Sequence, residues 1–380
     1  MAGLYLHVPF CAAICNYCNF TRGLLDEAIK SQFVAALQTD IRRHAEAVAV
    51  ESIFFGGGTP SLLTAGEVAD ILAACRASFA VSDSAEITLE ANPESVSAST
   101  LSGYLHAGVN RLSFGVQSFR DDELRRLGRL HSAARAAEAV GLARAAGFDN
   151  LSLDLMLWLP QQTPAHVRES VERLIAIGPE HASLYLLEVY PNAPLREEMA
   201  RAGWSVAPDD DAADMYLDAM QTLERAGYRQ YEISNVARPG RASRHNLNYW
   251  RDGEWLAFGP GAHGARDRER WRVVAGTGDY IARVTAGVDV AAERVARSQA
   301  SRLEEALFMG LRLADGVDLA GIELRYGVDV WQIYGDALEP HVQAGHLVHE
   351  PGKRIFLTRT GMLVANDVMA IFIGHEITVE

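Results

Sequence analysis

An α/β fold built on a parallel sheet is predicted by three features of this 380-residue chain. Short apolar runs alternate six times with amphipathic helical segments, which implies parallel strands joined by right-handed crossovers. Polar motifs recur just past the ends of those runs, where the ligand sites of such sheets collect. After about Glu232 the alternation gives way to charged loops and then to a small tail of helices and strands.

Leu4–Val8 reads as the first strand and Glu27–Ala49 as a long helix. Ser52–Phe55 is a second strand running into Gly56–Gly58, and Ala65–Phe79 has helical spacing. Glu86–Ala91 is a third strand, Thr100–Ala107 a helix and Arg111–Val116 a fourth strand. The alanine-rich helix Ala133–Ala146 stops at Gly147, a residue that accepts the left-handed conformation of a C-cap. Leu151–Leu157 and Ser183–Val189 are the fifth and sixth strands, with the helix Pro164–Ile177 between them; Asp210–Ala226 closes the series. Beyond it, Pro239–Arg244 is a basic loop and Arg266–Arg272 a second charged stretch. From Ser301 the pattern is helical, followed by a strand at Arg354–Leu357 and a helix at Gly361–Ile373. Residues 1–232 are thus expected to form the parallel unit, 233–299 an extension, and 300–380 a small α+β domain resembling a winged helix.

The formal net charge of −14 argues against a nucleic-acid binder that works by phosphate neutralisation. No stretch approaches the roughly 20 apolar residues of a membrane span. Met1–Phe20 lacks a basic start and is interrupted by Pro9 and three cysteines, so it is no secretory signal. A cytoplasmic location is expected. In a reducing compartment, three cysteines within eight residues point to metal or catalysis before disulfides.

Those three are Cys11, Cys15 and Cys18, on a short loop after the first strand. Three thiolates are one short of a closed tetrahedral zinc site, which His7 could complete. The fourth cysteine, Cys75, lies in a helix and reads as a buried small apolar residue. A single nucleophilic cysteine would leave the other two unexplained. A four-iron cluster on three cysteines instead leaves one iron open to a small molecule. Gly56-Gly57-Gly58-Thr59-Pro60 follows a strand at the same edge, and its glycines let backbone approach a ligand closely. It is no P-loop, since no Gly-Lys-Ser/Thr follows.

The Cys-x3-Cys-x2-Cys spacing, with Tyr17 before the last cysteine, resembles the radical S-adenosylmethionine (SAM) superfamily. The resemblance implies a partial (β/α)6 barrel. It also implies a [4Fe-4S] cluster on Cys11, Cys15 and Cys18, with SAM on the open iron as the source of a 5′-deoxyadenosyl radical. Further positions resemble the branch of oxygen-independent coproporphyrinogen III oxidase. On that resemblance Tyr5, Tyr17, Gly57, Gly58, Thr59, Glu90, Gln117, Arg129 and Asp154 are SAM-binding residues. An amide and an acid suit the two ribose hydroxyls, and Arg suits a carboxylate. One departure is Trp158, where the family has glycine before Leu-Pro; the sequence does not fix what the indole does to the shape of the pocket.

Two further departures separate the chain from the decarboxylase itself. Phe20 stands where that enzyme has a fourth cysteine, and the sequence begins four residues before Tyr5, so no N-terminal cover is expected over the site. A radical enzyme needs such cover. In its place, His245-Asn-Leu-Asn-Tyr-Trp250 resembles the motif of the haem-chaperone family HemW, flanked by Tyr231–Asn235 and Gly259–His263. That resemblance makes the 233–299 extension the motif carrier and 300–380 a HemN/HemW-like domain. It also implies haem as a third cofactor, His245 as its ligand, and a haem-acceptor protein as partner. His263 is a second ligand candidate. Gly259–Gly264 also fits Gly-x-Gly-x-x-Gly, but the charged stretch after it excludes a dinucleotide turn. The alternatives are an oxidative decarboxylase of coproporphyrinogen III and a zinc-stabilised structural protein.

Overall fold

The computed structural model describes residues 2–374. The expected parallel strands form and run as β1 (Ala2–Val8), β2 (Ala49–Gly57), β3 (Ala80–Ala91), β4 (Arg111–Gln117), β5 (Leu151–Leu157) and β6 (His181–Leu186). A further parallel strand, β7 (Glu254–Phe258), pairs with β1 from Ala2↔Glu254 to Leu6↔Phe258. The twelve-stranded sheet therefore keeps the six strands in sequence order at its centre and places β7 beyond β1. Antiparallel strands extend both edges: Asn235–Ala237 and Arg229–Gln230 beside β6, and His263–Arg266, Glu269–Val273 and Ala291–Ala296 beyond β7.

Side chains of a strand alternate between faces, and here the two faces differ in chemistry. Leu4, Leu6 and Val8 of β1, Ile53 and Phe55 of β2, Leu112, Phe114 and Val116 of β4, and Leu151, Leu153 and Leu155 of β5 belong to one apolar core. The intervening positions carry Tyr5 and His7, Ser52, Thr88 and Glu90, Arg111 and Ser113, Ser152 and Asp154, and His181 and Ser183. The curved sheet thus encloses a polar lumen inside an apolar shell.

Several boundaries differ from the sequence reading. The first helix spans Glu27–Arg43 and not Glu27–Ala49; the His44 ring bonds Asp40 O at 2.9 Å as the chain leaves it, and Ala49 already belongs to β2. Strand β3 starts at Ala80, before Glu86, since Ala80 and Val81 pair with Ala49 and Val50 ahead of a register shift. The polar run Ser82–Ser84 concealed that. The sixth strand ends at Leu186, freeing Leu187–Val189 to leave the sheet. The charged stretch Arg266–Arg272 is largely a β-hairpin, and Gly361–Ile373 is a 3-10 turn followed by a short helix, Ala365–Ala370. Gly147 caps its helix at φ +107°, as expected.

The C-terminal region has its own core, with Leu303, Leu307, Tyr334, Leu338 and Phe372 among its buried members. Its sheet has three antiparallel strands, with Arg354–Leu357 between Val317–Asp318 and Leu347–Glu350. Among the described residues, no helix is long and apolar enough to cross a membrane.

Candidate functional site

A cavity of about 440 Å³ opens beyond the carboxyl ends of the parallel strands. Cys11, Cys15 and Cys18, on the loop after β1, all line it as free thiols. Facing them are Gly57, Gly58 and Thr59 after β2, Glu90 and Asn92 at the end of β3, Gly115 and Gln117 of β4, Asp154 of β5, and Arg129. Every residue expected to bind SAM is brought here except Tyr5. That side chain lies deeper in the lumen, bonding His7 and stacked loosely on Phe54.

The glycine turn is shaped by close backbone approach. Gly57 has φ +112°, and a Cβ on Gly58 would meet Phe10 O at 2.6 Å. Gly58 N–H donates to Val8 O (2.8 Å) and Thr59 N–H to Phe10 O (2.7 Å), which pins this turn against the start of the cysteine loop. Arg129 ties the other side together. Its guanidinium donates to Asn92 Oδ1 (2.6 Å), Gly115 O (2.7 Å) and Cys15 Sγ (3.4 Å). Burial, together with the neighbouring thiols, raises the Cys11 and Cys18 pKa values. Free thiols on a loop pinned beside a glycine cradle and a buried guanidinium suit a cluster that carries a carboxylate-bearing ligand.

Two acids stand in the lumen wall. Burial pushes Glu90 up to about 8, reinforced by the Asp154 charge and opposed by the Gly57 N–H and Arg111. Burial pushes Asp154 up to about 6, opposed by hydrogen bonds from Ser183 and Ser113 and by Arg111 and Arg129. Arg111 is 2% exposed, and the hydrogen bond it makes, to Thr88 Oγ1, is long at 3.5 Å. A cationic ligand group between the acids would favour their charged forms. In the ligand-free chain, Glu90 holds a proton when folded that it loses when unfolded, between its ordinary 4.5 and about 8. Stability therefore falls as pH rises through that window. Glu90→Gln is expected to remove this slope and add roughly 2 kcal/mol at pH 8, allowing for partial solvation. Urea titrations at pH 5 and pH 8 measure it.

Gln117, at φ +69°, and Trp158, at φ +63°, hold left-handed backbone without being glycine. This conformation accounts for the glycine that the family has in place of Trp158. The indole lies outside the cavity: it is not among the lining side chains, and its Nε1–H donates to Ala207 O at 2.7 Å. Trp158→Gly is expected to relieve about 1 kcal/mol of strain while losing a hydrogen bond of similar worth. SAM affinity by calorimetry should then stay within about twofold, a difference of roughly 0.4 kcal/mol.

His7 is buried. Its Nε2–H donates to Thr21 O (2.7 Å) while Nδ1 accepts from Tyr5 (3.1 Å), so both ring nitrogens are occupied. Among the described residues, no three His, Cys, Asp or Glu side chains are gathered tightly enough for a single ion. A cube of four irons takes thiolates from farther apart than one zinc ion does. Cys75 is buried in its helix as anticipated.

The motif at His245 folds as a helix, Arg244–Trp250, capped by the Ser243 hydroxyl. It lies away from the cavity. His245 is 1% exposed and wedged between Gly3, Ser52 and Phe54 at the amino ends of the strands. Its Nδ1 bonds Ser52 Oγ (2.8 Å) and its Nε2 bonds the Tyr249 hydroxyl (2.7 Å). As placed, the imidazole has neither a free nitrogen nor an open face for iron. Trp250 reaches the C-terminal domain, where Arg312 lies 4.4 Å over its ring and pairs with buried Glu232. His263, by contrast, is exposed at the start of its strand. Ser113, Ser183 and Arg111 escaped the sequence reading, although alternation within their strands marks them.

Comparison with known proteins agrees with this geometry. Residues 5–174 match the radical SAM superfamily and residues 298–364 the HemN C-terminal domain. The chain is 34% identical over 379 residues to a heme chaperone HemW of Bacillus subtilis, covering 99% of this chain and all of that one. It is 42% identical over 270 residues to a heme chaperone HemW of Haemophilus influenzae, covering 69% of each. A solved structure of Escherichia coli coproporphyrinogen III oxidase (HemN) superposes with a TM-score of 0.86 over 98% of this chain and 89% of that one. At 21% identity, that likeness speaks for the fold alone.

Proposed function

Because this chain belongs to the HemW family of the radical SAM superfamily, we propose that it is a cytoplasmic haem chaperone. It would bind haem alongside a SAM-ligated [4Fe-4S] cluster and deliver the haem to haem-dependent respiratory proteins. The observation that carries the reading is the gathering of three thiols, the glycine turn, two acids and Arg129 around one cavity.

Cys11, Cys15 and Cys18 would hold the cluster, and Gly57–Thr59 and Glu90 would receive the amino end of SAM. Arg129, already buried with its fork aimed across Asn92 and Gly115, would receive the carboxylate. Asp154 and Gln117 would accept and donate to the ribose hydroxyls, while Tyr17 closes the apolar side with Leu127, Met156 and Leu187. When bound, the reduced cluster supplies one-electron chemistry at the sulfonium.

The test pairs a haem titration with a decarboxylation assay under anaerobic, reducing conditions. Saturable haem binding without turnover of coproporphyrinogen III is expected. Turnover with SAM consumption and no haem binding would assign the chain to the decarboxylases instead.

A further inference from the structure

We propose that His263, and not His245, is the protein ligand to haem iron, with the macrocycle lying across the outer edge of the cysteine loop and a propionate on Arg272. This rests on the haem-chaperone reading and assigns it a place in the fold.

Haem needs an accessible imidazole, an apolar surface and a cation for its carboxylates. His245 offers none of these, being sealed at the other end of the strands with both nitrogens bonded. His263 is exposed, and among the described residues neither of its ring nitrogens has a hydrogen-bond partner. Partial burial and the neighbouring Arg272 and Arg270 charges lower its pKa, so it stands neutral and ready to ligate near pH 7.

Its position links it to the cluster loop. Gly261, two residues before it, packs so closely on Thr21 that a Cβ there would meet the Thr21 hydroxyl at 2.6 Å. Thr21 in turn receives the His7 ring and follows Phe20, which is 64% exposed. Leu24, a little further along, is 63% exposed. Phe20 stands at the rim of the cluster cavity, and its bare ring is an apolar face on which a flat macrocycle loses water contact at little cost. Phe20 is also the residue that replaces the decarboxylase's fourth cysteine.

Arg272 sits directly across the hairpin from His263. Its partner, Glu293, is 3.7 Å away, and both side chains are about half exposed. Such a pair is worth little in water, so a propionate can replace the carboxylate. Arg270 is less available, because Glu305 holds it at 3.0 Å.

Ferric haem is titrated into the full chain and into His263→Gly, Phe20→Asp, Arg272→Gln and His245→Ala. Wild type should give a histidine-ligated Soret band. His263→Gly should lose that band and bind about tenfold or more weakly, for loss of the one directional bond. Added imidazole should restore the band, which a merely structural histidine would not do. Phe20→Asp and Arg272→Gln should weaken binding without moving the band, and His245→Ala should leave the band in place. An unchanged band and affinity in His263→Gly would overturn the assignment while haem binding stood. Absence of saturable haem binding by wild type would instead overturn the chaperone reading, and this site with it.

Discussion

Cys15→Ala should lack the cluster's colour, with acid-labile sulfide at less than about a tenth of wild type after anaerobic reconstitution. The loss should be near total because three thiolates already leave one iron without a protein ligand, and two leave a second corner bare. Cys15 is also the thiol that Arg129 holds at 3.4 Å, so its removal loosens the guanidinium expected to seat the SAM carboxylate. SAM binding by calorimetry should fall in parallel. The control is Cys75→Ala, a buried thiol in the helix Ala65–Ser78, remote from the cavity lining. It should keep its full iron content and lose only about 1 kcal/mol of stability, the cost of a small core void. Full cluster content in Cys15→Ala would remove the basis for the cluster assignment.

His245→Ala should cost about 3 kcal/mol of stability, read as a lower urea midpoint at unchanged slope. The ring stacks on Phe54 at 5.1 Å and meets Tyr249 edge-on at 4.8 Å, and its truncation empties a fully enclosed site. It also strands the hydroxyls of Ser52 and Tyr249, each buried against the imidazole. Burial pushes the His245 pKa down to about 3, with Arg111 contributing, so the folded chain holds this ring neutral. A folded pKa below the unfolded value means the destabilising uptake of a proton begins as pH falls below about 6.5 and levels off near 3. Wild type should therefore lose stability over that range, and His245→Ala should lose less. Equal urea midpoints for the two proteins at pH 7 would show that the ring is not the wedge described here.

The central sheet was legible because its information is local. Apolar runs four to seven residues long recur with helical segments between them, and each crossover is fixed by handedness. Cys11, Cys15 and Cys18 were legible for the same reason: their spacing places them on one loop whatever the rest of the chain does. A stronger signal lay unread in the strands. Arg-Leu-Ser-Phe-Gly-Val-Gln at Arg111–Gln117 and Ser-Leu-Asp-Leu at 152–155 alternate polar with apolar residues. A parallel strand covered on both faces by helices would be apolar throughout. The alternation therefore reports a lumen, and it marks Arg111 and Ser113 as facing it.

The rest depended on distance along the chain. Glu254–Phe258 becomes a parallel strand only because it pairs with Ala2–Leu6, some 250 residues earlier, and nothing local announces that. The two histidines show the same limit. Local sequence makes His245, with Tyr249 and Trp250 beside it, the first haem-ligand candidate and His263 the second. Packing sets them apart, because Ser52 and Phe54 close around one ring while the other stays in solvent. Sequence by itself thus determined the parallel strands of the central sheet and the cysteine loop, both written in spacing and periodicity, while the residues expected to hold SAM followed from a family resemblance. Only the tertiary structure decided which side chains remain free to bind, since a ligand's lone pair is available or spent according to neighbours that the chain brings from far away.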